Sequence, residues 1–366
     1  MSRQAENTKH GGGAATAGSL AVAAMAPALL AWHARHGRHD LPWQRDPTAY
    51  RVWVSEIMLQ QTQVVTAIGY FDRFLARFPD VRTLAAAPLD EVLHLWSGLG
   101  YYSRARNLHR AAQLVVAAHG GELPADAAAL ATLPGVGRST AAAIRALSAG
   151  ERAAILDGNV RRVLARYFAV AGVTSQRTVQ ERLWALAEAC TPVQDVAVYT
   201  QAIMDLGATV CVRRRPLCPA CPLEQGCSAR RSGRQHELPT ARPRVVRQTR
   251  SVVMLLARLA DGSVLLERRA ERGVWGGLWC PPQFPSVEAA RLFAETRLAA
   301  AEVEPQSRTI LRHAFTHFEL EISPLLARCA GWSGVMDGPP ALWYNPAKPE
   351  RLGLPAPVTA LLQSLS

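Results

Sequence analysis

Length, composition and charge limit the class of protein that this chain can be. Its 366 residues are too many for a single compact core and predict two domains, and an apolar content of 49% indicates a globular protein. The formal charge of +12 predicts a polyanionic partner, with nucleic acid as the first candidate. A GC-rich genome would also raise the arginine content, and only Lys9 and Lys348 among the 41 basic residues are lysines. No stretch reaches membrane-spanning length, so no membrane association is expected.

The first residues of the chain are rich in glycine and alanine. We expect residues 1–26 to form a disordered tail and the first helix to start at Pro27, since proline favours the first turn of a helix. The apolar run "LAVAAMAPALLAW" is similar to a signal-peptide core, but Pro27 interrupts it and no clear cleavage box follows. A cytoplasmic location is therefore expected.

Residues 27–228 show the apolar spacing of helices. Segments such as "AYRVWVSEIML" and "SRARNLHRAAQLVVAAHG" place apolar residues three and four positions apart, and little in this region alternates like a strand. The spacing predicts a mostly α-helical domain over residues 27–228.

One turn in this domain, "LPGVGRSTAAAI", has very few side chains. It predicts a helix-hairpin-helix over residues 130–146, in which free backbone amides at a helix N-terminus bind phosphate. Glycine permits a close approach to a DNA backbone, and an arginine adds charge beside it. The alternative is an ordinary turn between two helices. The candidate DNA-binding residues of the turn are Leu133, Gly135, Val136, Gly137 and Arg138.

Two acidic residues in this domain are candidates for acid–base chemistry. Glu56 has Trp53 and Ile57 beside it at helical spacing, so its pKa is expected to be raised and the group could hold a proton. Asp157 precedes a glycine and lies two residues before Asn159, whose amide can hydrogen-bond a carboxylate. The alternatives are a half-buried surface acid for Glu56 and a turn or helix N-cap for Asp157.

Four of the seven cysteines fall within residues 211–227. Their C-x6-C-x2-C-x5-C spacing has a single C-x2-C pair flanked by longer gaps, which favours a [4Fe–4S] cluster over a zinc ion. The predicted metal ligands are Cys211, Cys218, Cys221 and Cys227.

The pattern changes beyond this cysteine cluster. Residues 229–250 hold many arginines and few apolar anchors, which predicts an exposed basic linker. In residues 251–366 the apolar period becomes two: the segments on either side of "ADG" predict a β-hairpin, and "HFELEIS" predicts a further strand. We therefore predict a multidomain protein, with a smaller α+β domain after the helical one.

Together these motifs resemble one family. "SEIMLQQTQV", "GLGYYSRARNLH", "LPGVGRSTAAAI", "LDGNVRRVLAR" and the cysteine cluster are similar to the MutY-type adenine DNA glycosylases of the endonuclease III, helix-hairpin-helix superfamily. The resemblance covers residues 30–230 closely and the C-terminal region more loosely. It implies excision of adenine paired with 8-oxoguanine or guanine in double-stranded DNA, in base excision repair by a monomer.

The resemblance also implies roles for individual residues. Glu56 falls on the family's general acid, Asp157 on its second carboxylate and Asn159 on the residue that supports them, while Gln61 and Tyr101 fall on side chains that enter the base stack. Bifunctional members of the superfamily carry a nucleophilic lysine where this chain has Ser139. The resemblance therefore implies an enzyme that stops at the abasic site.

The C-terminal region resembles a Nudix-like fold through "GVWGGLWCPPQF", but it lacks the acidic spacing that would hold Mg²⁺. The resemblance implies an 8-oxoguanine recognition module whose loop is Phe315, Thr316 and His317, with threonine where the family has serine. Two alternatives remain: a bifunctional glycosylase and lyase, which Ser139 disfavours, and a catalytically silent damage-binding iron–sulfur protein, which the two carboxylates disfavour.

Overall fold

The computed structural model describes residues 12–242, 246–305, 310–334 and 338–365, with the backbone alone for residues 12–18. The helices are α1 (Gly12–His36), α2 (Ala49–Leu59), α3 (Val64–Arg77), α4 (Val81–Ala86), α5 (Leu89–Trp96), α6 (Ser103–His119), α7 (Ala127–Leu130), α8 (Arg138–Ala149), α9 (Gly158–Tyr167), α10 (Arg177–Cys190), α11 (Val196–Thr209), α12 (Ser228–Arg231), α13 (Val287–Arg297) and α14 (Ala356–Gln363). Across the described part of the chain, no helix combines the length and the apolar character needed to cross a bilayer.

Within the described residues, the strands all lie in the C-terminal region. They are β1 (Gln248–Arg258), β2 (Val264–Arg268), β3 (Trp279–Cys280), β4 (Gln283–Phe284), β5 (Leu298–Ala299), β6 (Glu302–Val303), β7 (Leu311–Ala314), β8 (Phe318–Arg328), β9 (Gly331–Trp332) and β10 (Ala341–Tyr344). The prediction of a helical region followed by an α+β region is confirmed.

The chain divides into two compact units that interleave along the sequence. Unit 1 consists of Met1–Gln61 and Ala117–Pro243, and unit 2 consists of Thr62–Val116 and Arg244–Ser366. Helices α3–α5 and most of α6 thus belong to the same unit as the β-sheet, although their apolar spacing is that of the other helices. This grouping differs from the division at residues 229–250 that the sequence predicts, because tertiary contacts between distant segments are not encoded in local periodicity.

In unit 1, helices α9, α10 and α11 surround a core to which α1 contributes Met25 and Leu29, both fully buried. Helix α1 starts at Gly12 and includes Pro27, so the structure differs from a tail that ends at residue 26; residues 1–11 of that predicted tail lie outside the described residues. Alanine-rich sequence has high helix propensity, and the buried Met25 and Leu29 anchor the helix on both sides of the proline. Together these effects explain the early start.

The segment predicted as an exposed linker is packed at its N-terminal end. Helix α12 lies there, Leu238 is buried, and the backbone oxygen of Leu238 accepts a hydrogen bond of 2.8 Å from Nε of the buried Arg166. Strand β1 also begins inside the predicted linker, at Gln248. The composition of the segment does not reveal this packing. The residue that binds the Leu238 carbonyl, Arg166, lies 72 positions earlier in the chain.

In unit 2, the sheet has the order β10-β2-β1-β8-β6, with β3, β4 and β7 paired to β2, β1 and β8 respectively. The central pair, β1 and β8, is parallel and stays in register from Gln248 opposite Phe318 to Arg258 opposite Arg328. The predicted hairpin is confirmed: β1 and β2 are antiparallel and meet at Arg258 and Val264. Helix α13 packs against β1, β4 and β8, where it covers the apolar residues of the sheet.

Within this unit, helix α5 and the loop that follows it contact the C-terminal segment of the chain. The Tyr102 hydroxyl, just before α6, donates to the backbone oxygen of Leu354 at 3.1 Å, and Arg351 pairs with Glu91 at 3.0 Å. Gly353 packs so closely that an added Cβ would lie 2.5 Å from the side chain of Leu93. The loop before α6 therefore belongs structurally to the same unit as strands β7 and β8.

Candidate active site and recognition loop

Glu56 lies on α2, one turn from the end of the helix. Thr48 caps this helix by accepting a hydrogen bond of 3.3 Å from the backbone N–H of Arg51. Trp53 and Ile57, beside Glu56, are buried in the core, as the helical spacing predicts, while the Glu56 residue itself is half-buried. Helix α2 packs against α8, the helix that follows the glycine turn.

Asp157 is the N-cap of α9. Its Oδ1 accepts a hydrogen bond of 2.8 Å from the backbone N–H of Val160, and its Oδ2 accepts one of 3.2 Å from Nδ2 of Asn159. The N-cap alternative considered from the sequence is therefore what the geometry shows. Capping does not remove the carboxylate from the site, because it holds a half-buried carboxylate at the positive end of a helix.

Ser139 links helix α8 to the start of α9. It lies in the first turn of α8, and its Oγ accepts a hydrogen bond of 2.9 Å from the backbone N–H of Leu156, the residue before Asp157. The position where the resembled superfamily carries a lysine is thus occupied by a half-buried hydroxyl that fixes the start of α9.

Burial and mutual repulsion set the protonation of the two acids. Burial, and to a smaller extent the negative charge of Asp157, together raise the pKa of Glu56 to about 8. Burial also raises the pKa of Asp157, but the backbone N–H groups of Val160 and Asn159 and the charge of Arg162 oppose that rise. When the pair holds a single proton, Glu56 therefore carries it and Asp157 carries the negative charge.

The predicted helix-hairpin-helix turn lies between α7 and α8. Gly135 has a positive φ of 79°, and an added Cβ at Gly137, the N-cap of α8, would meet nothing within 4 Å. Leu133 and Val136 are buried, and their backbone N–H groups already donate to the backbone oxygens of Leu130 and Leu133, so these two residues shape the turn. Arg138 forms an ion pair with Glu188, and its Cζ lies 3.9 Å from the centroid of the Trp184 ring.

Gln61 and Tyr101 both stand at exposed loop positions with left-handed backbone. Gln61, after α2 in unit 1, has φ 59°, and Tyr101, before α6 in unit 2, has φ 50°. The Tyr101 side chain is not part of the core: 47% of the residue is exposed. Arg104 holds the loop beneath it by donating a hydrogen bond of 2.9 Å to the backbone oxygen of Gly100.

The four cysteines of residues 211–227 line one cavity in unit 1, which we name the thiol cavity. Arg166 donates a hydrogen bond of 3.3 Å from Nη1 to Sγ of Cys211. Among the described residues, no three or more His, Cys, Asp or Glu side chains stand close enough together to bind a single metal ion. The structure therefore brings the four predicted ligands to one place without forming a compact single-ion site.

Residues 315–317 form the turn between β7 and β8 in unit 2. Phe315 and Thr316 line a cavity of about 600 Å³. Oγ1 of Thr316 lies 3.2 Å from the hydroxyl of Tyr101, and Phe315 stacks on Phe318 with ring centroids 4.5 Å apart. His317 is exposed and is not among the residues that line this cavity.

Two residues near Asp157 were not predicted from the sequence. Nη2 of Arg162 donates hydrogen bonds of 2.7 Å to Oδ1 of Asn159 and 2.6 Å to the backbone oxygen of Gly207. Gly207, inside α11, lets the two helices approach so closely that an added Cβ would lie 2.6 Å from Cβ of Asn159. A glycine inside an otherwise apolar helical segment was the available signal for this close contact.

Comparisons with known proteins assign both regions of the chain. Residues 54–189 match the HhH-GPD superfamily of base excision DNA repair proteins, and residues 253–364 match the NUDIX domain family. The adenine DNA glycosylase of Buchnera aphidicola (subspecies Acyrthosiphon pisum) is 36% identical over 338 residues, which cover 92% of this chain and 96% of that protein. The chain belongs to the adenine DNA glycosylase family.

Other relatives agree with this assignment. The human adenine DNA glycosylase is 45% identical over 226 residues, which cover 59% of this chain and 41% of the human protein. A solved thermostable thymine-DNA glycosylase is 28% identical and superposes with a TM-score of 0.54 over 59% of this chain and 99% of its own. An endonuclease III–DNA complex, at 21% identity and a TM-score of 0.51 over 59% of this chain and 97% of its own, shows the fold alone. The family is one of base excision repair enzymes that hydrolyse N-glycosyl bonds.

Proposed function

We propose that this adenine DNA glycosylase is monofunctional and removes adenine paired with 8-oxoguanine or guanine. The observation that carries this proposal is the pair of acids in unit 1, of which Glu56 holds a proton at neutral pH because its pKa is raised to about 8. An adenine leaves readily only when it is protonated, and the sugar then develops positive charge. One protonated and one ionised carboxyl group meet these two requirements.

The division of labour follows from the hydrogen bonds. Glu56 has the proton to give to the leaving base. Asp157 has the charge that stabilises the developing oxocarbenium ion, and the N–H of Val160 and the amide of Asn159 fix its two oxygens in place. Because these donors are already aligned, the carboxylate has little reorganisation to make when the sugar becomes positive.

Reaching a base in duplex DNA requires that it be flipped out of the stack. We propose that the backbone amides of the turn at Gly135–Gly137 bind a DNA phosphate, and that Gln61 and Tyr101 occupy the stack. The exposed loop positions of both side chains and the open space around Gly137 support these roles. Arg138 contributes less than its charge alone would predict, since Glu188 pairs with it.

Ser139 supports hydrolysis without strand cleavage. Its hydroxyl holds the N–H of Leu156, and neither lysine of the chain falls within residues 27–228. This region therefore offers no lysine amine that could form a Schiff base with the sugar.

A gel assay tests this proposal with duplexes that contain adenine opposite 8-oxoguanine or guanine, with and without alkali. We expect strand breaks only after alkali, and no adduct trapped by borohydride. A bifunctional enzyme would nick the strand without alkali and be trapped. A silent damage-binding protein would bind the duplex and leave every strand intact after alkali.

We propose that the thiol cavity holds a [4Fe–4S] cluster through Cys211, Cys218, Cys221 and Cys227. The residues fit the group: all four thiols line one cavity, and Arg166 donates a hydrogen bond to Sγ of Cys211. The C-x6-C-x2-C-x5-C spacing, with a single C-x2-C pair flanked by longer gaps, favours a cube over a single zinc ion. The cluster would serve as a structural centre, because hydrolysis needs no electron.

Metal analysis of an anaerobic preparation tests this assignment. We expect four irons per chain, and a lower iron content in Cys218→Ser. Stoichiometric zinc without iron would contradict the cluster.

We further propose that residues 315–317 read the base opposite adenine. A threonine hydroxyl at the rim of an aromatic cavity can exchange hydrogen bonds with the groups that distinguish 8-oxoguanine from guanine. We also propose that residues 27–228 form the glycosylase domain and residues 251–366 the Nudix-like recognition domain. We propose that a monomer acts on DNA in the bacterial cytoplasm, in association with the nucleoid.

A further inference from the structure

A glycine-rich loop, residues 273–277, packs beside the turn at residues 315–317 in unit 2. Its central residue, Trp275, is 7% exposed and has a positive φ of 55°. This left-handed conformation is unfavourable for a bulky side chain, so the surrounding structure must impose it. The backbone N–H of Leu278 donates to the oxygen of Trp275 at 3.0 Å, which closes the turn.

The loop is fixed from two sides. At Gly276 an added Cβ would lie 2.1 Å from the backbone oxygen of Glu271, so the chain can pass there only as glycine. The backbone oxygen of Gly276 accepts a hydrogen bond from Nη1 of Arg106, a half-buried residue of α6. Helix α6 begins two residues after Tyr101, so the same helix supports the Tyr101 loop and the 273–277 loop.

The ring of Trp275 contacts the turn between β7 and β8. Its centroid lies 5.8 Å from the ring of His313 and 5.7 Å from that of Phe315, and Phe315 in turn stacks on Phe318. The backbone N–H of Phe315 donates to the oxygen of Phe318 at 2.8 Å, so the ring and the backbone of the turn move together.

We propose that Trp275 is a positioning residue that holds the Phe315–Thr316 turn in the conformation that reads the base opposite adenine. The proposal rests on the proposed function of residues 315–317 and adds the element that fixes them. It predicts that removal of the indole ring weakens discrimination between 8-oxoguanine and guanine rather than the chemistry at Glu56, which lies in the other unit.

The test uses the full-length chain with the substitution Trp275→Leu and single-turnover excision rates on the two duplexes. We expect the preference for adenine opposite 8-oxoguanine to fall about three- to tenfold, where tenfold equals about 1.4 kcal/mol. Trp275→Phe keeps a ring against His313 and Phe315, so it should keep most of the preference. Arg106→Met removes the clamp on Gly276 without changing the ring, so it should lower the preference in the same direction.

Trp332→Leu is the matched control, because Trp332 packs on Phe293 of α13 in the same unit and does not line the cavity. An equal loss of preference in Trp332→Leu and Trp275→Leu would overturn the proposal, since it would reflect general loosening of the domain. An unchanged preference in both Trp275→Leu and Arg106→Met would overturn it as well.

Hydrogen–deuterium exchange supplies a readout that does not depend on the substrate. Trp275→Leu should speed exchange in residues 311–318 more than in the rest of the sheet, whereas Trp332→Leu should not. If the wild-type enzyme shows no preference between the duplexes, the recognition function fails, and the exchange result still decides whether Trp275 positions the turn. Equal exchange in wild type and Trp275→Leu would reject that positioning.

Discussion

The acid pair in unit 1 and the 315–317 turn in unit 2 are built in opposite ways. Glu56 and Asp157 lie on α2 and at the start of α9, and burial raises the pKa of both. Thr316 is exposed on a turn and meets a single hydroxyl, that of Tyr101. A half-buried acid pair controls whether a proton is available at all, whereas an exposed turn adjusts a preference by one or two hydrogen bonds. Substitutions at the two sites should therefore differ greatly in magnitude.

The largest effect is expected from Glu56→Gln. The amide cannot transfer a proton, so single-turnover excision should fall by about 10²–10⁴-fold, the usual range for loss of a positioned acid. Binding to DNA should persist, because the turn at Gly135–Gly137 is unchanged. The measurement pairs excision rates with affinities on the same duplex, and near-normal excision by Glu56→Gln would remove this residue from the mechanism.

The wild-type pH profile sharpens the same point. Because Glu56 must be protonated to act and its pKa is raised to about 8, the single-turnover rate should be flat near neutrality and fall as pH rises through 8. Bound DNA adds negative charge, which disfavours the carboxylate further and places the inflection at 8 or above. Rates measured with enzyme in excess, at several pH values, provide the test. An inflection near the ordinary value of a glutamate would contradict the proton on Glu56.

Glu56→Gln should raise the stability of the protein at pH 8, although it lowers the activity. A carboxyl group whose pKa is raised on folding binds its proton more tightly in the folded state, so its contribution is fully present below the unfolded pKa, 4.5, and is lost as pH rises towards 8. Glu56→Gln removes this loss. We expect the variant to be more stable than wild type at pH 8, with a difference that shrinks as pH falls towards 4.5. Denaturant unfolding at the two pH values measures it, and a constant difference would contradict the linkage.

Gly207→Ala should have a smaller effect than loss of the acid. The new Cβ would meet Asn159 at 2.6 Å, so α11 or α9 must shift and the Asn159–Asp157 hydrogen bond must lengthen. Overpacking of this kind typically costs about 1–3 kcal/mol. We expect lower stability and slower excision from both mispairs. Gly150→Ala is not a suitable control because φ there is positive, but Gly158→Ala is, since its Cβ would meet nothing within 4 Å.

Local pattern was sufficient to predict the helices and the β-hairpin, since each depends on short-range spacing. It indicated Glu56 and Asp157 only as separate candidates, and the family resemblance supplied their joint role. Glu56 was predicted from its neighbours Trp53 and Ile57, which are buried as expected. Arg162 could not be predicted, because its partners, Asn159 and Gly207, meet only after α9 and α11 pack. The Tyr101–Thr316 contact likewise joins residues 215 positions apart. Long-range partners of charged and hydroxyl groups leave no periodic signal in the sequence.

The smallest effect is expected from Thr316→Val, which keeps the shape of the side chain and removes its hydroxyl. Oγ1 of Thr316 lies 3.2 Å from the Tyr101 hydroxyl, so the substitution removes both that contact and any hydrogen bond to the opposite base. The net value of one hydrogen bond is about 0.5–1.5 kcal/mol, so the preference for 8-oxoguanine over guanine should fall by a factor of roughly 2–13. Thr316→Ser, which keeps the hydroxyl, is the matched control and should retain the preference.

Truncation is a poorer test, because Arg351 and Leu354 pack against α5 and Tyr102 within unit 2 and their loss would disturb the Tyr101 loop. If Thr316→Val and Thr316→Ser show the same ratio of single-turnover rates as wild type, the hydroxyl does not read the opposite base, and discrimination must come from elsewhere in the chain.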